Sequence, residues 1–374
     1  MSVIAVLLVL ASVAAAVVWA VTRHLRGEDL TRYDQRYENA GAGAPVGADG
    51  APSRQHQEVI DRLQQMVAEA DAVTPRNRLS AMRASMDAMG DDADLSDIEI
   101  HSVDVDGVPG EWVCAIAADP ARRLLYLHGG AFTLGSPRSH RVITSKLSRL
   151  SGACVLALDY SLLPENRRID CFIDSQTSYR WIIDHGPDGP APVQVLFVAG
   201  DSAGGNLALA VIAWARDAGL RPADAAIALS PATDGTLSGP SMRSNVATDH
   251  MLGPMLGKIA KVPTSLVLWF SWISSRIRPC DPRLSPLHGD LSHLPPTLVQ
   301  ASEAEMLLDD ARRYVVKANA AGSQATLETW HHMLHVWQLF ELPEANAAFA
   351  RIAAFLELMA PRSLEQSVES EPHG

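Results

Sequence analysis

Residues 198–210, VAGDSAGGNLALA, hold a serine in a setting that could make it a nucleophile. A short apolar run ends at Gly200. Asp201, Ser202, Ala203 and Gly204 come next, and then a helix-forming stretch. G-x-S-x-G between a strand and a helix is the pattern of a tight, strained turn that leaves the serine hydroxyl exposed. Flanking glycines keep Cβ atoms out of the bend, and the helix N-terminus favours negative charge developing beside the serine. Upstream, residues 123–132 read RLLYLHGGAF, a strand running into His128, Gly129, Gly130, Ala131 and Phe132. A glycine-rich loop there can bring backbone N–H groups to the oxyanion of a tetrahedral intermediate. One donor is expected from this loop and another from Ala203, the residue after the nucleophile. The chemistry these residues could do is acyl transfer through a serine.

Five segments in order, HGGAF (128–132), DYSLLPE (159–165), GDSAGG (200–205), DPRLSPLHGDLSHLPPTLVQ (281–300) and MLHVW (333–337), resemble the hormone-sensitive-lipase-like family of α/β-hydrolases. These are esterases and lipases of the fold-3 type, and the bacterial acetyl-hydrolase and lactone-hydrolase members are the most similar. The resemblance runs over residues 98–360. It implies an α/β-hydrolase fold, in which a mostly parallel sheet carries helices on both faces under a helical cap. It implies catalysis without a cofactor, and an oxyanion hole in the loop Gly129, Gly130, Ala131 together with Ala203. Many members have a third glycine where this chain has Ala131. Alanine keeps the N–H donor, and its Cβ would narrow the pocket.

The resemblance also implies a chain order of serine, acid, histidine. His335 comes after a strand pattern at 324–330 and precedes an apolar run that would pack its loop down, so it is the expected base, with His331 and His332 as alternatives. His128 is expected to shape the oxyanion loop. The acid should hang past the strand at 297–301 and accept from the histidine Nδ1–H. Glu305 holds the position where many relatives carry Asp; Glu303 and Asp309 are the alternatives, and Asp309 also suits the first turn of a helix. Asp159, Tyr160 and Asp174 are expected to serve structural hydrogen bonds. Phe132, Met251 and Trp269 are candidates for contact with the substrate.

The elements that must position these groups alternate. A hairpin is expected at 97–116 and strands at 123–128, 154–160, 193–199, 225–230, 297–301 and 325–330. Helices fall around 139–150, 171–185, 204–218, 307–321 and 343–359. That alternation means an α/β class with a mostly parallel sheet. Residues 236–280 interrupt it with apolar segments, expected to be a cap insertion and acyl pocket, with core or a surface that touches lipid as the alternatives. Residues 54–97 are expected to form an N-terminal helical cap, in which Met82, Met86 and Met89 either pack in the core or line a substrate groove.

The chain has 374 residues and a net charge of −12, which argues against a nucleic-acid partner. Its four cysteines form no C-x-x-C pair, so no metal site is expected. Residues 2–21 carry no charge and are long enough to span a bilayer. Residues 1–22 are therefore expected to be a transmembrane anchor, a cleaved signal peptide and secretion being the alternative. Arg23, His24 and Arg26 come after the span, which by the positive-inside rule keeps the catalytic domain cytoplasmic. Residues 23–53 are expected to be a flexible linker, 98–361 the catalytic domain and 362–374 a disordered tail. The expected function is hydrolysis of apolar short- to medium-chain esters. A lactone hydrolase or small-molecule deacetylase would use the same chemistry. A ligand-binding pseudoenzyme, like the plant gibberellin receptor that resembles this family without its histidine, is the competing class. The presence of both Ser202 and a well-placed histidine weighs against it.

Overall fold

The structure is a computed structural model and describes residues 3–34 and 52–362. Eight strands form one sheet: β1 (Ile98–Val105), β2 (Val108–Ala115), β3 (Asp119–Leu127), β4 (Ala153–Leu158), β5 (Val195–Asp201), β6 (Ala225–Leu229), β7 (Thr297–Ser302) and β8 (Ala325–Trp330). The helices are α1 (Val3–Arg26), α2 (Arg54–Ala72), α3 (Pro75–Met89), α4 (Arg141–Ser151), α5 (Arg168–Asp184) and α6 (Ala203–Asp217). They continue with α7 (Ser241–Ser244), α8 (Leu252–Ala260), α9 (Thr264–Ser275), α10 (Leu308–Ala320) and α11 (Pro343–Met359).

Across the sheet the strands run β1-β2-β4-β3-β5-β6-β7-β8. β2 is antiparallel to β1 and β4, and every other pairing is parallel. A parallel sheet is covered on both faces, so its strands read as near-continuous apolar runs such as RLLYL. Alternation sends Leu125 and Leu127 of β3 into a core shared with α5, α6 and α10. Leu124 and Tyr126 point the other way, into a core shared with α4 and α11. This is the α/β-hydrolase architecture expected from the motifs.

α1 is long and apolar enough to cross a membrane, and its apolar side chains from Val3 to Trp19 are largely exposed. The stretch after it is not a free linker. Gly27 turns the chain at φ 77°, and Leu25 and Leu30 are buried. Glu28 pairs with Lys317 and Asp34 with Arg313 at 2.5 Å, both partners on α10. Two buried leucines and two ion pairs dock residues 25–34 onto the catalytic domain, within the 23–53 stretch expected to be a flexible linker. Residues 35–51, the rest of the expected linker apart from 52–53, lie outside the described residues, as does the expected tail from 363.

Candidate active site

Ser202 sits between β5 and α6 at φ 52° and ψ −113°. A non-glycine residue at positive φ costs on the order of 1–3 kcal/mol and persists only when its surroundings over-determine it. Here the Ser202 N–H donates to Leu229 O at 2.7 Å, and the Ser202 carbonyl accepts from Asn206 and Ala232 at 3.1 Å. Gly204 is required for close approach: a Cβ there would lie 1.9 Å from the Leu127 carbonyl oxygen.

His335 Nε2 lies 2.9 Å from Ser202 Oγ, and His335 Nδ1 lies 2.6 Å from Glu305 Oε2. Glu305 and His335 are buried. The histidine loop is pinned from three sides. Ser302 Oγ donates to Met333 O at 2.6 Å, Leu334 N donates to His56 Nε2 at 3.1 Å, and Val336 N donates to Ser230 Oγ at 3.2 Å. Ser302 N donates to the second Glu305 oxygen at 3.1 Å. Burial pushes the Glu305 carboxyl up, and the hydrogen bond and charge of His335 only partly offset it. Burial works against a charged His335, but the hydrogen bond and charge of Glu305 outweigh it, so the imidazole lies above its ordinary value.

His331, Glu303 and Asp309, three of the alternatives for base and acid, have partners of their own. His331 pairs with Glu303 at 2.9 Å, away from the serine. Asp309 accepts the Ser241 N–H at 2.6 Å at the start of α7.

The oxyanion loop turns through three positive-φ residues, Gly130 at 110°, Ala131 at 53° and Phe132 at 61°. The N–H groups of Gly130 and Ala131 have no acceptor among the described residues. Ala203 opens α6, where an N–H has no intrahelical acceptor. Gly129 differs from expectation. Its N–H donates to Asp201 Oδ1 at 2.9 Å and approaches His140 Nε2 at 3.3 Å, so it anchors the loop and is not a free donor. Asp201 also accepts from the Tyr126 hydroxyl at 2.6 Å. Burial would raise the Asp201 carboxyl, but His140 and the Tyr126 hydrogen bond hold it below its ordinary value.

His128 stacks on Tyr160 at 4.3 Å, and the Tyr160 hydroxyl donates to the His128 carbonyl at 2.7 Å. Burial, with His140 close by, brings the His128 imidazole down to about 3, so it stays neutral. Asp174 accepts the Ser161 N–H at 2.8 Å.

Ser202 and His335 open onto a cavity of about 360 Å³. Its walls are apolar: Leu63, Met66 and Val67 of α2, Met82, Met86 and Met89 of α3, and Met251, Leu252 and Met255 at α8. Ala131 lines it and Met251 reaches it. Phe132 and Trp269, both candidates for substrate contact, do not. Phe132 lies under the Arg168 guanidinium at 3.4 Å, packed beside the core. Trp269 turns to α1, where its Nε1–H donates to Thr22 Oγ1 at 2.9 Å. An aromatic in a motif or cap segment signals burial, and only the tertiary packing says against what.

Sequence reasoning missed Asp201, Tyr126 and His140 as supports of the loop. The available signal was an aspartate at the end of a near-continuous apolar strand, where a carboxylate needs partners. It also missed Arg83, which joins α3 to Thr133 O at 2.9 Å, Leu163 O at 2.8 Å and Glu165. No local pattern marks that contact.

Residues 124–339 match a family model described as the alpha/beta hydrolase fold. The chain is 37% identical over 258 residues to an acetyl-hydrolase of Streptomyces hygroscopicus, covering 68% of this chain and 81% of that one. It is 34% identical over 263 residues to an esterase of Acinetobacter venetianus, covering 69% and 82%. A crystal structure of an esterase from the bacterial hormone-sensitive lipase family superposes with a TM-score of 0.69 at 37% identity, covering 83% of this chain and 99% of that one. With the sheet order, the elbow and these similarities together, the chain belongs to the α/β-hydrolase family, in its hormone-sensitive-lipase-like branch.

Proposed function

We propose that this carboxylic ester hydrolase cleaves small apolar esters of short to medium acyl length through Ser202, His335 and Glu305. One observation carries the reading: an unbroken hydrogen-bonded line from Ser202 Oγ through His335 to Glu305, opening onto an apolar cavity. His335 Nε2 takes the Ser202 proton as Oγ attacks the ester carbonyl. The oxyanion is received by the N–H groups of Gly130, Ala131 and Ala203. His335 then gives the proton to the departing alcohol, leaving Ser202 acylated. Water attacks the acyl group by the same route, and Ser202 recovers its proton. Glu305 fixes the tautomer and stabilises the imidazolium without taking the proton. The cavity volume lies at the small end of ligand sites, which supports a small substrate.

α1 acts as the membrane anchor in this proposal, with Arg23, His24 and Arg26 placing the catalytic domain on the cytoplasmic side. A second reading, removal of acetyl groups from a small molecule, is supported by the acetyl-hydrolase relative. Assay of the full chain and of Ser202→Ala on p-nitrophenyl esters from acetyl to palmitoyl tests both. The expected result is turnover that falls by roughly 10⁴-fold or more in the variant. An optimum confined to acetyl favours deacetylation. Wild-type protein that neither turns over any ester nor reacts with a fluorophosphonate would fail the hydrolase reading and leave ligand binding in its place.

A further inference from the structure

α9 carries a face that the catalytic reading does not use. Leu266, Phe270 and Ile273, spaced i, i+4, i+7, are 60%, 75% and 55% exposed. That spacing puts them on one side of the helix. Met255, Ile259 and Val262 of the preceding helix and turn are exposed as well. Bare apolar patches of this kind mark a binding surface.

The charge around the patch is distinctive. The whole chain carries −12, yet residues 252–280 contain Lys258, Lys261, Arg276 and Arg278 and no Asp or Glu. An exposed apolar helical segment whose own charged residues are all cationic suits an anionic lipid surface.

The position of the patch is set by α1. Trp269 of α9 bonds to Thr22 of α1, and Cys280 Sγ donates to the His24 carbonyl at 3.5 Å. At 1.5 Å per residue the 24 residues of α1 span about 36 Å, against about 30 Å for a hydrocarbon core. The C-terminal end of α1, which carries Thr22 and His24, therefore falls at the headgroup level. α9 is held at that same level. The docking of residues 25–34 onto α10 leaves no slack that could lift the domain away.

We propose that the exposed face of α8 and α9 lies in the bilayer interface beside the α1 span, so that the cavity opens toward lipid. Met255 links the cavity to the exposed surface of α8, since it lines the cavity and is itself 41% exposed. Esters dissolved in the bilayer then reach Ser202 without crossing water. This rests on the reading of α1 as a membrane span, and it adds a second contact and a route for substrate.

The test uses the full chain in liposomes of zwitterionic and anionic phospholipid. An environment-sensitive dye is placed on Phe270→Cys, on Val13→Cys in α1, and on Ile116→Cys after β2 as a distant control. The four native cysteines are buried. Spin-labelled lipids should quench the dye at 13 and at 270 and spare it at 116. Quenching at 13 without quenching at 270 overturns the proposal and leaves the anchor standing, whether the face is then bare or covered by another protein. No quenching at either site removes the anchor and the proposal together. As a second arm, Phe270→Glu with Ile273→Glu should leave turnover of water-soluble p-nitrophenyl acetate unchanged. Turnover of an ester dissolved in the bilayer should fall roughly tenfold, the scale set by unburying a large apolar side chain. Equal loss on both substrates, or none on either, would count against a lipid-facing route.

Discussion

Below the cavity, Asp201 accepts from Tyr126 and Gly129 with less than one-tenth of any of these residues exposed, and Ser202, His335 and Glu305 form a second, largely buried line beside it. Above the cavity, α2 and α3 are held mainly by methionine packing and by ion pairs whose side chains reach water; the exception is the buried His56 of α2, which accepts the Leu334 N–H of the histidine loop. Arg83–Glu165 is 29% and 56% exposed, and Arg62–Asp92 is 50% and 50%. Buried hydrogen bonds to charged groups are strong and costly to break, whereas exposed ion pairs contribute about 0–1 kcal/mol. The floor is thus rigid where atoms must be held for chemistry. The roof is adaptable where an acyl chain must fit, because methionine fills irregular space without a fixed shape. The contrast teaches that, His56 apart, the groups proposed for turnover and those proposed for chain-length preference lie in different parts of the molecule and should respond separately to mutation.

The largest test of the floor is Glu305→Gln. It keeps the shape but removes the charge that orients and supports His335, and kcat/KM should fall roughly 10³- to 10⁴-fold. Asp201→Ala comes next. It orphans the Tyr126 hydroxyl, which should cost about 1–3 kcal/mol for that buried group, and leaves the Gly129 N–H only its longer contact to His140 Nε2. Urea unfolding reads that loss, with Arg62→Ala as the roof comparison at about 0.5 kcal/mol or less. Equal losses from the two would break the contrast.

The pH profile sharpens it. On the proposed mechanism His335 must be neutral to accept the Ser202 proton, so activity should be lost as pH falls through its pKa. Glu305 holds that pKa above the ordinary value of about 6.5. kcat/KM should therefore drop about tenfold per pH unit below a limb that lies higher than a free imidazole would give. The residual activity of Glu305→Gln should show the limb moved to lower pH. The smallest effect belongs to the roof. Met82→Ala should shift the preferred acyl length upward and change turnover of the acetyl ester less than about tenfold, since a methylene or two in an apolar pocket is worth about 1–3 kcal/mol. A larger loss on every ester would mean that α3 supports the chemistry after all.

The α/β alternation was legible because the period-2 and period-3.6 patterns are local properties of the chain. The elbow was legible because a strained turn restricts residue type at Gly200 and Gly204. Phe132 and Trp269 were misjudged for the opposite reason: an apolar side chain states that it wants burial and not which surface will bury it. Gly129 was credited with a free donor because the carboxylate that captures it lies 72 residues away in Asp201. The docked stretch after α1 was hidden likewise, since its partners Arg313 and Lys317 come from the far end of the chain.

By itself, then, the amino-acid sequence determined the fold class, the family resemblance and the candidates Ser202, Glu305 and His335, because these depend on residue type, local spacing and chain order. Only the tertiary structure decided which loop N–H groups remain unpaired, which methionines line the cavity, and that α9 rests against α1 with its apolar face outward. Those are outcomes of long-range packing, where many side chains compete for the same buried surface and local preference cannot say which of them wins.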